Sequence, residues 1–220
     1  VLFSRLIEVL DLEPHPAPLN MAIDEALLRA VEFPTLRIYR WQQPAVSFGY
    51  FGKVGDAEAL AAGREMVRRW TGGGMVEHGD DVTYTLLVPR GHPFGEGRAP
   101  DSYRMIHGAI AGLLQSAGNE VQVTQGSAAK ISDACFANPV PYDLVTTGGK
   151  LAGAAQRRTR WGLLHQGSIQ AADLPDQWAS KLADAFSAEV QRQEITPEIL
   201  DAAYHLVRVR YGTVAWLRKF

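Results

Sequence analysis

The sequence predicts an α/β fold of the mixed, α+β kind, with one mixed β-sheet flanked by helices and residues 1–220 forming a single domain. Three observations carry that expectation. Segments that alternate apolar and polar residues, the mark of half-buried strands, are interleaved with segments of helical apolar spacing. Gly148-Gly149 separates two strand-like runs, a strong signal for a two-residue hairpin. The chain of 220 residues, 46% hydrophobic and 21% charged, is long enough to bury one substantial core, and no internal repeat or low-complexity tract divides it.

Taken in order, residues 2–10 read as a strand, followed by a connector rich in proline (Pro14, Pro16, Pro18). Asn20 offers an N-cap to a helix that places Ile23, Ala26, Leu27, Ala30 and Val31 on one face. Asp24 and Glu25 fall in its first turns, where complementing the helix dipole explains them as well as catalysis does. Residues 36–41 and 45–51 are neighbouring strands joined at Gln42-Gln43-Pro44. Residues 56–64 form an alanine-rich helix, 66–67 a strand and 82–88 another. Asp101 and Ser102 cap a longer helix, with Met105, Ile106, Ile110, Leu113, Leu114 and Ala117 facing inward and Gly118 at its end. Residues 121–124, 142–147, 150–157 and 163–171 are strands, and 125–141 a polar loop. Helices over 176–186 and 197–210 close the chain, the second started by Thr196 with Pro197 at its first position.

Bulk properties exclude several classes. A net charge of −2 and a pI near 6.3 argue against nucleic acid as the main partner. No apolar run is long enough to span a bilayer and the first residues lack a secretory pattern, so no membrane partner and a cytoplasmic location are expected. A first residue other than Met reads as a chain that is not the complete gene product. The single cysteine, Cys135, excludes an intrachain disulfide and a multi-thiolate metal site. His15, His92, His107 and His205 have no partners at ligand spacing and Asp80-Asp81 alone makes no metal site, so no metal is expected.

The densest chemistry lies in Arg68-Arg69-Trp70-Thr71-Gly72-Gly73-Gly74-Met75-Val76-Glu77-His78. Three glycines permit positive φ and close approach of the backbone, and successive N–H groups in such a turn make a nest for an anionic or oxyanionic group. The arginines add charge and forked donors. Strands on both sides put the turn at the mouth of a sheet, where ligands bind.

This segment resembles the signature of the lipoate–protein ligase and octanoyltransferase family, relatives of the biotin–protein ligases. Three further matches follow the family order: Asn20-Met21-Ala22-Ile23-Asp24-Glu25, Pro44-Ala45-Val46-Ser47-Phe48-Gly49-Tyr50, and Gly149-Lys150-Leu151-Ala152-Gly153-Ala154-Ala155-Gln156. One departure stands out, since Gly52 follows Gly49-Tyr50-Phe51 where the family usually has glutamine. The resemblance implies the fold of the biotin and lipoate ligases. It assigns substrate binding to Arg68, Arg69, Gly72, Gly73, Gly74, His78, Gly153, Gln156 and His165, and places Lys150 against the acyl carboxylate or carbonyl. Read alone, Lys150 is by default an exposed hairpin residue, and the two histidines are equally structural. Cys135, in Ser132-Asp133-Ala134-Cys135-Phe136, is similar to the acyl-accepting cysteine of octanoyltransferases that work without ATP, and the segments 155–158 and 165–169 are closer to that group than to the ligases. A lone cysteine is otherwise more often buried filler.

The implied reaction is octanoyl transfer from acyl carrier protein to Cys135 and on to a lysine of a lipoyl-type acceptor domain, with Lys150 and backbone N–H groups holding the oxyanion and no cofactor required. Val46, Phe48, Met75 and Val76 are expected to line an acyl tunnel, or else to be ordinary core. Arg157, Arg158 and Arg160 are a solvated strand face or steer acidic partners. Two alternatives stay open: a lipoate–protein ligase using ATP and Mg through an adenylate, against which the lack of a sizeable accessory domain after Arg210 leans, and a noncatalytic partner that binds acylated carriers.

Overall fold

The computed structural model describes residues 1–124, 141–170 and 174–220. In chain order its elements are β1 (Leu6–His15), α1 (Ala17–Ala30), β2 (Thr35–Trp41), β3 (Ala45–Phe48), α2 (Val54–Ala61), β4 (Glu65–Arg68), β5 (Met75–His78) and β6 (Val82–Pro89). They continue with α3 (Pro93–Glu96), α4 (Ala99–Ser116), β7 (Gln122–Val123), β8 (Leu144–Thr146), β9 (Gly149–Thr159) and β10 (Gly162–Ile169). The last are α5 (Trp178–Phe186), β11 (Val190–Arg192), α6 (Pro197–Leu206), a π-helical turn at Val207–Tyr211 and α7 (Val214–Leu217).

Eight strands make one mixed sheet in the order β11-β1-β2-β6-β10-β9-β8-β7, and a second sheet of three strands runs β4-β3-β5. The expected mixed sheet with covering helices is present, and the hairpin at Gly148-Gly149 joins β8 to β9. Alternation along the central strands gives the large sheet two apolar faces. Leu36, Ile38, Leu86, Val88 and Leu163 meet Ile106, Ile110 and Leu114 of α4 and Leu182 and Phe186 of α5 on the rear face. Tyr39, Trp41, Leu87 and Leu164 meet α1, Leu206, Trp216 and the small sheet's Ala45 and Val67 on the front.

Several local expectations are corrected. Helix α1 begins at Ala17 with Pro18 in its first turn, so Asn20 is not its cap. Asn20 is buried, and its amide donates to the carbonyls of His15 and Arg40. Asp24 and Glu25 therefore lie beyond the first turn and serve tertiary contacts rather than the dipole: Glu25 accepts from the Tyr211 hydroxyl at 2.7 Å and pairs with Arg210 and Arg29. Strand β1 continues through Pro14, which falls in the irregular stretch between the Asp11 and His15 pairings, where a missing N–H removes no rung. Helix α4 starts at Ala99 with Pro100 in its first turn, Met105 is exposed, and Ser102 and His107 are buried instead. Thr196 does cap α6, but the helix gives way at Leu206 to the π-helical turn, beyond which Tyr211 and Trp216 dock on the front core. The short strand β11 carries no periodic signal and pairs in parallel with β1 at the sheet edge.

Candidate functional site

The small sheet lies over the front face, and between the two is a narrow cleft, partly open to solvent. Its walls include Ser47, Arg69, Gly73, Val76 and His78 from the small sheet and its glycine turn, Trp41, Gly153, Ala155, Gln166 and Ser168 from the large sheet, and Met21 from α1.

The glycine turn joins β4 to β5 and forms one lip. Arg69 organises it: Nη1 donates to Ser47 Oγ at 2.8 Å, and Nη2 donates to the carbonyls of Gly72 (3.1 Å) and Gly74 (2.8 Å). Gly73 has φ 84°, the left-handed region that suits glycine. A Cβ on Gly49 would stand 2.1 Å from the Gly73 carbonyl oxygen, so the Gly49-Tyr50 bend and the glycine turn pack backbone against backbone. Arg68, by contrast, faces away from the cleft. Its buried guanidinium donates to the carbonyls of Tyr50 and Gly52 at 2.7 Å each, and to those of Trp216 and Leu217, clasping the C-terminal segment.

A polar chain ties this lip to the large sheet. Thr71 donates to Gln166 Oε1 (2.7 Å), and Gln166 Nε2 donates to Asp24 (2.7 Å). Asp24 also receives Thr85 and the buried Arg37, each at 2.7 Å, and Arg37 reaches Asp11 at 2.6 Å. The side wall carries a second chain: Ser47 Oγ lies 2.6 Å from His78 Nε2, and His78 Nδ1 lies 2.8 Å from Asp81. Trp41 stacks on the His78 ring with centroids 4.0 Å apart. Asp81 further accepts from Ser168 (2.6 Å), Thr83 (2.9 Å) and the Gly79 N–H (3.1 Å). Burial alone would raise the Asp81 carboxyl, but hydrogen bonds from His78, Ser168 and the Gly79 N–H hold it below its ordinary value.

Lys150 is not the exposed hairpin residue its turn suggests. Its side chain is 1% exposed, its ammonium lies 2.7 Å from Asp143, and it lies so close across Gly153 that a Cβ there would come within 2.6 Å of Nζ. Because Gly153 lines the cleft, Lys150 is placed at the cleft's edge.

Gln156 and His165 are on the opposite, rear face. Gln156 accepts from Ser102 of α4 (3.0 Å) and lies 2.8 Å from His165 Nδ1, and His165 Nε2 is 3.1 Å from the Tyr84 hydroxyl. Burial, with His107 beside it, pushes His165 well below the ordinary histidine range, so its ring is neutral. The basic run is split in the same way: Arg157 donates to the Trp70 carbonyl at 3.0 Å beside the glycine turn, whereas Arg158 donates to Gly95 and Gly97. Of the four proposed tunnel residues, Val76 lines the cleft, Val46 and Phe48 are core, and Met75 is not part of the wall. Cys135 lies outside the described residues. Among the described residues no group of three His, Cys, Asp or Glu is placed to hold a metal ion.

Sequence reasoning missed Ser47, Asp81, Gln166 and Ser168. The motifs containing Ser47 and Gln166 were visible, but only pairing of β3 with β5 and of β9 with β10 shows which of their residues face the cleft. For Asp81 the single cue is its position three residues after His78.

A family described as the lipoyl protein ligase A/B catalytic domain matches residues 16–198. The chain is 40% identical over 168 residues to a protein of Kyrpidia tusciae named octanoyltransferase LipM, covering 70% of this chain and 61% of the relative. It is 38% identical over 165 residues to the protein of the same name in Oceanobacillus iheyensis, covering 71% and 60%. The chain thus spans about three fifths of the length of these curated relatives. A lipoate-protein ligase A solved with ATP superposes with a TM-score of 0.75 at 21% identity, over 96% of this chain and 98% of that one. A bi-partite lipoate protein ligase from Thermoplasma acidophilum gives 0.71 at 19% identity, over 99% and 97%.

Proposed function

We propose, since this chain belongs to the lipoyl protein ligase A/B catalytic-domain family, that it moves an octanoyl group from acyl carrier protein through a thioester on Cys135 to the ε-amine of a lysine on a lipoyl-type acceptor domain. The observation that supports this reading is convergence. Four separate sequence motifs meet at one cleft, with a buried lysine at its edge and a glycine turn at its lip.

The chemistry follows from the groups at hand. A thiolate at Cys135 attacks the thioester carbonyl, the carrier thiol leaves, and the oxyanion formed between is stabilised by the Lys150 ammonium. Asp143, 2.7 Å away, holds that ammonium in position. The acceptor amine then attacks the Cys135 thioester and gives the amide, the cysteine leaving as thiolate. Met21, Val76, Ala154 and Ala155 supply the apolar wall for the acyl chain. No nucleotide enters, because the thioester is already activated. No helix among the described residues is long and apolar enough to cross a membrane. The cytoplasmic location in this reading follows from its donor, an acyl carrier protein.

Intact-mass analysis after incubation with octanoyl carrier protein tests the reading. It predicts a hydroxylamine-labile octanoyl adduct that is absent in Cys135→Ala and indifferent to ATP. An ATP-dependent reaction with free octanoate or lipoate, and no cysteine adduct, would replace it with the ligase.

A further inference from the structure

Two residues of the cleft wall and a carboxylate behind them have an arrangement that octanoyl transfer through Cys135 does not use. Ser47 sits in β3, His78 ends β5 and Asp81 lies in the turn that follows. Antiparallel pairing of Ala45 with His78 and Ser47 with Val76 sets Ser47 diagonal to His78 on the cleft face. Ser47 and His78 both line the cleft, and all three side chains are almost wholly buried.

The direction of each hydrogen bond follows from what the groups can donate. Arg69 is a donor only, so Ser47 Oγ accepts from its Nη1 at 2.8 Å. An ionised Asp81 carboxylate is an acceptor only, so His78 Nδ1–H donates to it at 2.8 Å, and in the neutral imidazole Nε2 is then the acceptor facing the Ser47 hydroxyl at 2.6 Å. This is the tautomer a serine nucleophile requires: base at the hydroxyl, carboxylate behind the base. The other serine and threonine hydroxyls on the wall differ. Thr83 and Ser168 give their protons to the Asp81 carboxylate, which is too weak a base to activate them. Trp41, stacked on the ring, holds the imidazole in plane with the chain. Arg69 Nη1 donates to Ser47 Oγ itself, and its charge favours loss of the hydroxyl proton to His78.

We propose that Ser47, His78 and Asp81 form a second acyl-accepting centre, which hydrolyses medium-chain acyl thioesters and activated esters bound in the cleft. The acyl class rests on the function proposed above; the nucleophile rests on the geometry alone. Ser47 Oγ attacks the carbonyl carbon, its proton passes to His78 Nε2, and the carbon–sulfur bond breaks as that proton moves to the departing sulfur. Water then attacks the Ser47 ester, gives a proton to Nε2, and the carbon–Oγ bond breaks as Oγ recovers a proton. The sum is thioester plus water to carboxylic acid plus thiol, with Asp81 ionised throughout.

The test uses the full chain with an octyl fluorophosphonate, which replaces fluoride by an activated serine oxygen, followed by peptide mass mapping. One adduct is expected, on Ser47, forming at least about a hundredfold more slowly in His78→Ala and Asp81→Asn proteins whose circular dichroism and melting show them folded. In a Cys135→Ala background, S-octanoyl pantetheine should release thiol at a rate that falls by a similar factor when Ser47→Ala is added. Labelling elsewhere, no labelling of folded wild-type protein, or thiol release indifferent to Ser47→Ala overturns the proposal. The labelling arm needs no variant, so a Ser47 substitution that fails to fold leaves it intact. The two readings also fail separately: transfer to the acceptor lysine by Cys135→Ala protein removes the cysteine mechanism without touching the Ser47 adduct, and an unlabelled Ser47 leaves octanoyl transfer standing.

Discussion

Adjacent residues of β10, His165 and Gln166, face two different environments. Gln166 points forward to the cleft, bonded to Thr71 of the glycine turn and to Asp24, in a region built on charge: Arg37, Asp24, Asp11, Arg69 and Asp81. His165 points back under α4, among Gln156, Tyr84, His107 and Tyr103, where burial keeps the imidazole neutral. The front network leads to hydroxyls and a guanidinium on a cavity wall. The rear network packs under helix α4, and none of Gln156, His165, Tyr84 and His107 lines the front cleft. A strand two-sided in this way separates chemistry from support at a spacing of one residue, so neighbours in a motif need not share a role.

Charge removal gives the widest contrast. Asp24→Ala strips a buried partner from Arg37 and should cost about 3–5 kcal/mol in urea unfolding. A loss below about 1 kcal/mol would mean that Asp11 alone satisfies the guanidinium, and the front network would be no more demanding than the rear.

Gly153→Ala sharpens the front side without touching the charges. Its methyl group collides with Lys150 Cε and Nζ, the mobile end of a side chain, so the fold should survive while Lys150 is displaced. Octanoyl transfer is expected to drop about a hundredfold, as for loss of one oxyanion donor, with KM nearly constant. Unaltered turnover would detach Lys150 from the cleft.

Acid probes the rear. His165 and His107 are held neutral by burial, so below the ordinary value of 6.5 the unfolded chain binds protons that the folded one refuses. Stability is therefore full above about pH 6.5 and is lost as pH falls toward the folded values, with a slope of at most about 1.4 kcal/mol per pH unit for each histidine. Melting temperatures from pH 7 to 5 should show the decline, and His165→Gln should flatten it. An unchanged slope in that variant would place the titration elsewhere.

The smallest effect belongs to Ser102→Ala, which deletes one rear hydrogen bond to Gln156 and should cost about 1 kcal/mol with kcat/KM within about twofold of the parent. A large kinetic change would couple the rear face to the cleft and erase the distinction between them.

The mixed sheet, the hairpin before Lys150, the Thr196 cap and the glycine turn were legible because each depends on a local signal: period-two alternation, paired glycines, a side-chain cap, three residues without Cβ. What misled was also local. Pro14, Pro16 and Pro18 suggested a connector, Asn20 a cap and Lys150 an exposed turn, yet β1 runs through the first proline and both polar residues are buried with partners brought from elsewhere.

Sequence alone determined the fold class, most of the larger elements and the segments that meet at the cleft, since these follow from periodicity, turn chemistry and motif, while β5, α3, β11 and the C-terminal turn left no such signal. Tertiary structure alone decided which residues within those segments face the ligand. Arg69 enters the cleft while Arg68 clasps the C-terminal segment, Gln166 enters while His165 supports, and Ser47, His78 and Asp81 come into line only when β3 pairs with β5. The physical reason is that a strand offers its side chains alternately to two faces, and which face borders a cavity is set by the packing of a second sheet on one side and α4 and α5 on the other.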